Sequence, residues 1–202
     1  MTLLVNHPQR SEIRERLRSN IVLRRLDASA FDELEASLII VDYRKGDVLL
    51  SQGAHEMEQY FVIDGILKRV VASSEGKEMI LRFAKEDDMD TSYAAWKLRT
   101  PAPYSIRCVT KARVAKMPLP QWAGFLDAHP DMKEDFEYEV MFLMSEVMAH
   151  TITLHLLDAP GRVHRFVRKH GDLAERVPKK ELASYLNLSA ETLSRLKHAG
   201  KI

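Results

Sequence analysis

The chemistry most readily assigned in this sequence belongs to a short segment near its end. Glu191 and Arg195 stand four residues apart, so a helix would place both side chains on one face. Arginine can donate two hydrogen bonds to O6 and N7 of guanine, and glutamate can accept one from N4 of cytosine. Ser194 can bond to either base type, and Ala190 leaves room for the methyl group of thymine. An ion pair between Glu191 and Arg195 is the alternative in the free protein.

The neighbouring residues predict two short helices folded across a tight turn. Ala183 is the small residue needed where the helices touch, and Ser189 is a good N-cap for the second helix. The residues of a miniature core recur at helical spacing: Leu182, Leu186, Leu193 and Leu196. Basic residues around them suit phosphate contacts: Lys179, Lys180, Lys197, His198 and Lys201. The predicted DNA contacts are Lys179, Lys180, Ser189, Ala190, Glu191, Thr192, Ser194, Arg195, Lys197 and His198.

The charge distribution agrees with this prediction. The net charge of the 202 residues is +1, yet residues 161–202 carry ten Lys and Arg against four Asp and Glu. A basic C-terminal block beside an acidic body is typical of a small DNA-binding domain attached to a regulatory one. The alternative is a charged surface with no partner.

Composition excludes several other classes. No run of about 18 apolar residues is present, so no membrane span is predicted, and the N-terminus is too charged for a signal peptide. We therefore expect a cytoplasmic protein. Cys108 is the only cysteine, so neither an intrachain disulfide nor a four-thiolate cluster can form. The histidines lack metal-site spacing, and the acidic run Asp87, Asp88 and Asp90 has no accompanying nucleophile, so neither a metal site nor an enzyme is predicted.

The elements that must position the C-terminal segment follow from hydrophobic periodicity. Residues 9–37 are predicted to be helical. Seven short strands are predicted at 38–41, 47–50, 59–63, 66–72, 78–83, 105–109 and 112–117, with Asp64 and Gly65 forming a two-residue hairpin turn. They suggest a compact barrel or jelly-roll-like β-roll, and the fold class is α+β.

A long helix should begin near Pro130 and break at residues 159–161. Its apolar residues recur at spacings of three and four, which predicts pairing with a second copy through Phe136, Val140, Leu143, Val147, His150, Leu154 and Leu157. Met141, Met144 and Met148 widen the apolar surface, and one side could rest on the roll. The alternative is a single helix buried within one chain. The predicted domains are residues 1–127, a dimerisation helix at 128–158 and a helix-turn-helix domain at 159–202.

Several motifs resemble the family of the cyclic AMP receptor protein and the fumarate-nitrate reduction regulator. They are residues 43–49, 52–53, 60–65, 76–78 and the recognition run 188–195, and the likeness covers roughly residues 20–200. The resemblance implies a homodimeric bacterial transcription regulator with a cyclic-nucleotide-binding-type roll and a winged helix-turn-helix. It also implies a palindromic TTGA-type site and RNA polymerase as a partner.

One departure from the family pattern bears on the effector. Nucleotide-binding members of the family hold the cyclic phosphate with a Gly-Glu pair and an Arg-Ser pair, whereas Thr91-Ser92 and Ala102-Pro103 stand at those places here. Because a buried phosphate without its arginine would be uncompensated, cyclic AMP is not the expected effector. The candidate effector pocket is Thr91, Ser92, Tyr104 and Ser105. An iron-sulfur cluster is not expected; haem is open, with His55, His129, His150 and His155 as conceivable ligands, as is another small molecule or none.

The sequence given stops seven residues after Arg195, where family members continue into a hairpin wing. We therefore expect a truncated or absent wing and fewer phosphate contacts. The alternative function is a ligand- or haem-binding sensor or interaction module that has lost strong DNA binding.

Overall fold

The computed structural model describes residues 1–198, with the side chains of residues 1–196. Its strands are β1 (Thr2–Leu3), β2 (Ile39–Tyr43), β3 (Val48–Leu50), β4 (Glu58–Asp64), β5 (Leu67–Ala72), β6 (Glu78–Ala84), β7 (Met89–Thr91), β8 (Ser105–Cys108) and β9 (Ala112–Pro118). Its helices are α1 (Arg10–Arg18), α2 (Ala28–Glu35), α3 (Tyr93–Lys97), α4 (Leu119–Ala128), α5 (Pro130–Leu156), α6 (Ala159–Lys169), α7 (Gly171–Arg176), α8 (Lys179–Tyr185) and α9 (Ala190–His198). The predicted α+β class is confirmed.

The strands form a roll of two antiparallel sheets. One sheet has the order β1-β2-β9-β4-β7, and the other has the order β3-β8-β5-β6. All seven predicted strands are present, and their bounds differ from the predictions by one or two residues. β1 and β7, of two and three residues, were not predicted.

The prediction of a hairpin at Asp64 and Gly65 is wrong. β4 and β5, on either side of these residues, belong to different sheets and do not pair. Gly65 has a φ of +90°, and a Cβ there would lie 2.2 Å from the carbonyl oxygen of Lys111. Glycine is therefore required at a corner where the chain changes sheets against a neighbouring backbone. The hairpin of this region instead joins β5 to β6 through residues 73–77.

The core of the roll continues into the first half of α5. Trp122 of α4 is fully buried, and its ring lies 5.3 Å from that of Phe61 in β4 and 5.2 Å from that of Phe136 in α5. These edge-to-face contacts fix the long helix on the roll. A second apolar cluster lies between the sheet β3-β8-β5-β6 and the C-terminal helices. It includes Phe83 of β6, Phe166 of α6 and Tyr185 of α8.

The long helix α5 ends at Leu156, two residues before the predicted end of the dimerisation helix at residue 158. Leu157 adopts an extended conformation, and Asp158 caps α6 by accepting a hydrogen bond of 2.9 Å from the amide of Gly161. Pro160 therefore lies in the first turn of α6, where a missing N–H costs no hydrogen bond. Residues 159–161 begin a helix, and the break is at Leu157 and Asp158. No helix among residues 1–198 is both long and apolar enough to cross a membrane.

Candidate nucleic-acid interface and sensor pocket

The start of α9 presents the predicted base-contacting residues to the outside. The Oγ atom of Ser189 accepts a hydrogen bond of 3.0 Å from the amide of Thr192, so Ser189 caps the helix as predicted. Ala190, Glu191 and Arg195 are exposed, and Thr192 and Ser194 are half-buried. Leu193 is buried beneath them. One face of α9 thus belongs to the core and the opposite face is open to a partner.

The turn between α8 and α9 is held by backbone geometry and by one arginine. Asn187 has a φ of +52°, and the amide of Leu188 donates to the carbonyl oxygen of Ala183 at 2.8 Å. Arg162 of α6 donates to the carbonyl oxygens of Leu157 at 2.9 Å and Leu186 at 3.1 Å. This residue, which the sequence did not single out, ties the turn to the break between α5 and α6. The available sequence signal for this turn was Asn187, because asparagine tolerates a positive φ better than most residues.

The predicted phosphate contacts are only partly described. Lys179 and Lys180 are exposed at the start of α8. Lys197 and His198 end α9, but their side chains lie outside the described residues, as does Lys201. The exposed ammonium groups of α8 lie at the N-terminal end of the first helix of the pair, where they can contact a DNA backbone.

The helix-turn-helix is docked on the roll by three ion pairs and an aromatic cluster. Lys68 of β5 pairs with Glu181 of α8 at 2.7 Å. Glu86, just after β6, binds Arg176 through two hydrogen bonds of 2.6 and 2.8 Å. The third pair is Lys85 with Asp172. Because these residues are far apart in sequence, no local pattern could have predicted the contact.

The same docking contact contains aromatic rings. The ring of Tyr185 lies 5.2 Å from that of Phe83 and 5.3 Å from that of Phe166. His150 of α5 stacks on Tyr185 with 3.8 Å between ring centroids and 5° between ring planes. Roll, long helix and C-terminal helices therefore share one packed junction.

The predicted effector pocket is largely filled by side chains. Arg69 of β5 is buried and pairs with the buried carboxylate of Asp90 at 2.7 Å. Its guanidinium lies 4.7 Å from the centre of the Tyr104 ring, and the Tyr104 hydroxyl donates to the carbonyl oxygen of Thr91 at 2.6 Å. Burial raises the pKa of Tyr104, so this phenol stays protonated. Asp90, which belongs to the acidic run at residues 87–90, is therefore paired with Arg69.

The remaining space is small. A cavity of about 20 Å³ lies beside Arg69, Thr91, Tyr93 and Tyr104 and is closed by α5. That volume holds one or two water molecules and no cyclic nucleotide. Ser92 and Ser105, the other two predicted pocket residues, do not line it.

Both of these serines are nonetheless buried. The Oγ atom of Ser105 accepts a hydrogen bond of 2.9 Å from the amide of Gln52. The Oγ atom of Ser92 has no partner among the described residues. Two of the four predicted pocket residues, Thr91 and Tyr104, therefore face the cavity.

The predicted dimer residues of α5 lie mostly on its inner face. Phe136 is buried against Trp122, Val140 and Leu143 face the roll, and His150 packs on Tyr185. These four are therefore not free to meet a second copy, and the prediction needs correction for them. The other three, Val147, Leu154 and Leu157, are half-buried or partly exposed. The periodicity therefore identified a face of α5 that is largely covered by the same chain, and pairing of this helix with a second copy stays a prediction.

A second apolar face of α5 is exposed. It is formed by Tyr138, Met141, Phe142, Met144, Met148, Ile152 and Leu156. Met141 and Met148 are 63% and 65% exposed, and Leu156 is 77% exposed. An exposed strip of this extent on one helix marks a contact surface.

The four histidines considered for haem lie at separate places. His55 and His155 are exposed, the imidazole of His129 lies 3.1 Å from Glu33, and His150 is stacked on Tyr185. None of them lines the 20 Å³ cavity. Among residues 1–198, no three His, Cys, Asp or Glu side chains are grouped as metal ligands. His150 lines a separate cleft between β6, α5 and α6, and none of the other three histidines lies there.

Fold and site together define a β-roll joined by a long helix to a helix-turn-helix. Residues 40–129 match the cyclic nucleotide-binding domain family. The fold is similar to that of the c-di-GMP-responsive global regulator CLP of Xanthomonas campestris (TM-score 0.69, 17% identity, 86% of this chain and 92% of that one). It is also similar to FixK2 of Bradyrhizobium japonicum (TM-score 0.68, 17% identity, 81% and 86% of the chains).

A third solved structure with this fold is the catabolite activator protein of Thermus thermophilus (TM-score 0.57, 17% identity, 89% and 86% of the chains). A search of the curated proteins found no match to this sequence. The predicted resemblance is confirmed at the level of fold: residues 40–129 match the domain family, and the chain has the fold of the transcription regulators of the cyclic AMP receptor protein and fumarate-nitrate reduction regulator family.

Proposed function

We propose that this chain is a homodimeric transcription regulator that reads a palindromic, TTGA-type DNA site through α9. The observation that carries the proposal is the capped, outward-facing start of α9, with Glu191 and Arg195 exposed above the buried Leu193. A helix of this kind fits the major groove, where arginine and glutamate distinguish G·C pairs. The proposed parts are residues 1–127, 128–158 and 159–202, and the proposed partners are double-stranded DNA, a second copy and RNA polymerase.

The second copy is proposed to contact the exposed apolar face of α5, called its outer face below. This helix has 27 residues and is therefore about 40 Å long. Without Phe142, its exposed apolar residues from Tyr138 to Leu156 recur at spacings of three and four and share one face of the helix. A twofold pair would present two α9 helices to successive turns of DNA, roughly 34 Å apart. The outer face replaces the inner face in the predicted dimer contact.

The roll is proposed to sense something other than cyclic AMP. The Arg69–Asp90 pair and the Tyr104 ring occupy the interior, and no arginine is free there to neutralise a cyclic phosphate in the described residues. Charge already matched by a buried carboxylate is not available to a ligand without breaking that pair.

Binding to fluorescent duplexes tests the DNA proposal. We expect the full chain to bind a duplex with two TTGA half-sites more tightly than a scrambled duplex, with a steep salt dependence. Arg195→Ala should cost ~1–3 kcal/mol and relax the preference at one base pair. Arg168→Ala, an exposed arginine on α6, is the matched control. Weak binding that ignores sequence would overturn the proposal and favour the sensor or interaction module.

A further inference from the structure

A cleft lies at the junction of roll, long helix and C-terminal helices, and it is separate from the small cavity of the roll. Its volume is about 270 Å³, close to the lower limit for small-molecule sites. One wall is β6 with Arg82 and Phe83, the second is α5 with His150, and the third is α6 with Arg162 and Arg165. Because the three walls belong to different parts of the chain, a bound molecule would contact all of them.

The cleft carries excess positive charge. Arg82, Lys85, Arg162, Arg165 and Lys169 line it, against only two carboxylates, Asp88 and Glu146. Three of the five cations have a carboxylate nearby, since Arg82 lies 3.4 Å from Asp88, and Lys85 and Lys169 pair with Asp172 and Glu146.

The two arginines of α6 that line the cleft, Arg162 and Arg165, have no such partner. Arg162 donates hydrogen bonds to backbone carbonyl oxygens and not to a carboxylate, so its charge has no counterion among the described residues. Arg165, which is half-buried, has no carboxylate or hydrogen-bond partner among the described residues. Two guanidinium charges in one partly enclosed space match the two negative charges of a phosphate monoester.

A buried nitrogen in the same cleft lacks a hydrogen-bond partner. His150 is only 9% exposed, and its Nε2 atom is buried with no partner among the described residues. Buried polar atoms in native proteins are nearly always paired, so this nitrogen is left for a hydrogen-bond partner outside the described residues. A neutral imidazole with a proton on Nε2 could donate it to a ligand oxygen.

We propose that this cleft binds a small phosphate monoester, with Arg165 and Arg162 opposite its charge and His150 Nε2 donating to one of its oxygens. The bound anion touches α6 and the roll together, so it stabilises the docked position of the C-terminal helices. The consequence for DNA binding rests on the proposed function; the binding site itself does not.

Titration calorimetry of the full chain without DNA tests the site. The probes are inorganic phosphate, glycerol 3-phosphate as a monoester, and dimethyl phosphate as a diester, all at matched ionic strength. We expect saturable binding of the first two and much weaker binding of the singly charged diester. Arg165→Gln should weaken phosphate binding about tenfold or more, whereas Arg168→Gln on the outer side of α6 should leave it unchanged.

His150→Phe provides a second readout because phenylalanine retains a ring against Tyr185 and removes only the nitrogens. Phosphate should shift the imidazole NMR signals of His150 in the unaltered chain, and the variant should bind phosphate more weakly with an unchanged melting temperature in its absence. No saturable binding of either phosphate probe, or equal losses in Arg165→Gln and Arg168→Gln, would refute the proposal. Equal binding of diester and monoester would also refute it. Since DNA is absent throughout, failure of DNA recognition leaves these results intact.

Discussion

Acidification should loosen the junction at which His150 stacks on Tyr185. Burial lowers the pKa of His150 from its ordinary 6.5 to about 4, and the nearby His170, Arg165 and Lys169 act in the same direction. In the unfolded chain the same imidazole takes up a proton near pH 6.5. Between these two values the unfolded state binds more protons, so stability falls as the pH falls. The buried imidazole is neutral at pH 7, and its stacked position is retained there.

The size of the effect follows from the two pKa values. Each pKa unit corresponds to 1.36 kcal/mol, so the separation between 6.5 and about 4 amounts to about 3 kcal/mol, reached near pH 4. At pH 5 about 2 kcal/mol is already lost. The loss begins as the pH falls below about 7 and is negligible at higher pH.

Urea unfolding at a series of pH values from 7.5 to about 4.5 measures this dependence. His150→Phe keeps an aromatic ring on Tyr185 but cannot take up a proton, so its stability should fall less steeply with acid than that of the unaltered chain. His155→Gln, an exposed histidine one turn further along α5, controls for the removal of a histidine. If the curves for the unaltered chain and His150→Phe run parallel from pH 7 to 5, the reasoning about the buried imidazole is wrong.

Three further predictions concern the other surfaces. Lys179→Ala should weaken binding to specific and scrambled duplexes alike and reduce the salt slope of binding by about 1. Fluorescence anisotropy measures this, with Lys45→Ala in the roll as the control. A change confined to one DNA sequence would contradict a phosphate contact. Met148→Glu on the exposed apolar face of α5 should weaken the proposed dimer by about 3 kcal/mol, because each twofold interface loses two buried methionines. Sedimentation measures this, with Met79→Glu as the control. An unchanged dimer would count against that face of α5. Trp122→Ala should destabilise the chain by about 3–5 kcal/mol in urea unfolding, and a loss under 1 kcal/mol would show that Trp122 does not anchor α5.

The sequence was informative wherever the signal is local. Strands of the roll alternate and are bounded by turns, so seven of nine could be placed, whereas β1 and β7 are too short to show a period. The cap at Ser189 was predictable because it depends on a hydroxyl and an amide three residues apart. The corner at Gly65 was misread because a positive φ suits both a hairpin and a change of sheet.

The candidate cleft and the docking ion pairs could not have been predicted. Lys68 and Glu181 are 113 residues apart, and Arg176 and Glu86 are 90 apart. Charged residues give no periodic signal that tells which distant residue they will meet. Arg165 reads in sequence as one more solvated cation of a basic helix, and only the fold places it beside His150 in an enclosed space.

Local sequence patterns were enough to predict a roll, a long helix with apolar residues on more than one side, and a capped C-terminal helix bearing glutamate and arginine. Each of these depends on residues within about two turns or one strand of each other. Tertiary structure alone decided which face of α5 covers the roll, because both faces are apolar and only shape complementarity with Trp122 and Tyr185 separates them. It also decided that the interior of the roll is filled, since Arg69, Asp90 and Tyr104 meet there from three different parts of the chain.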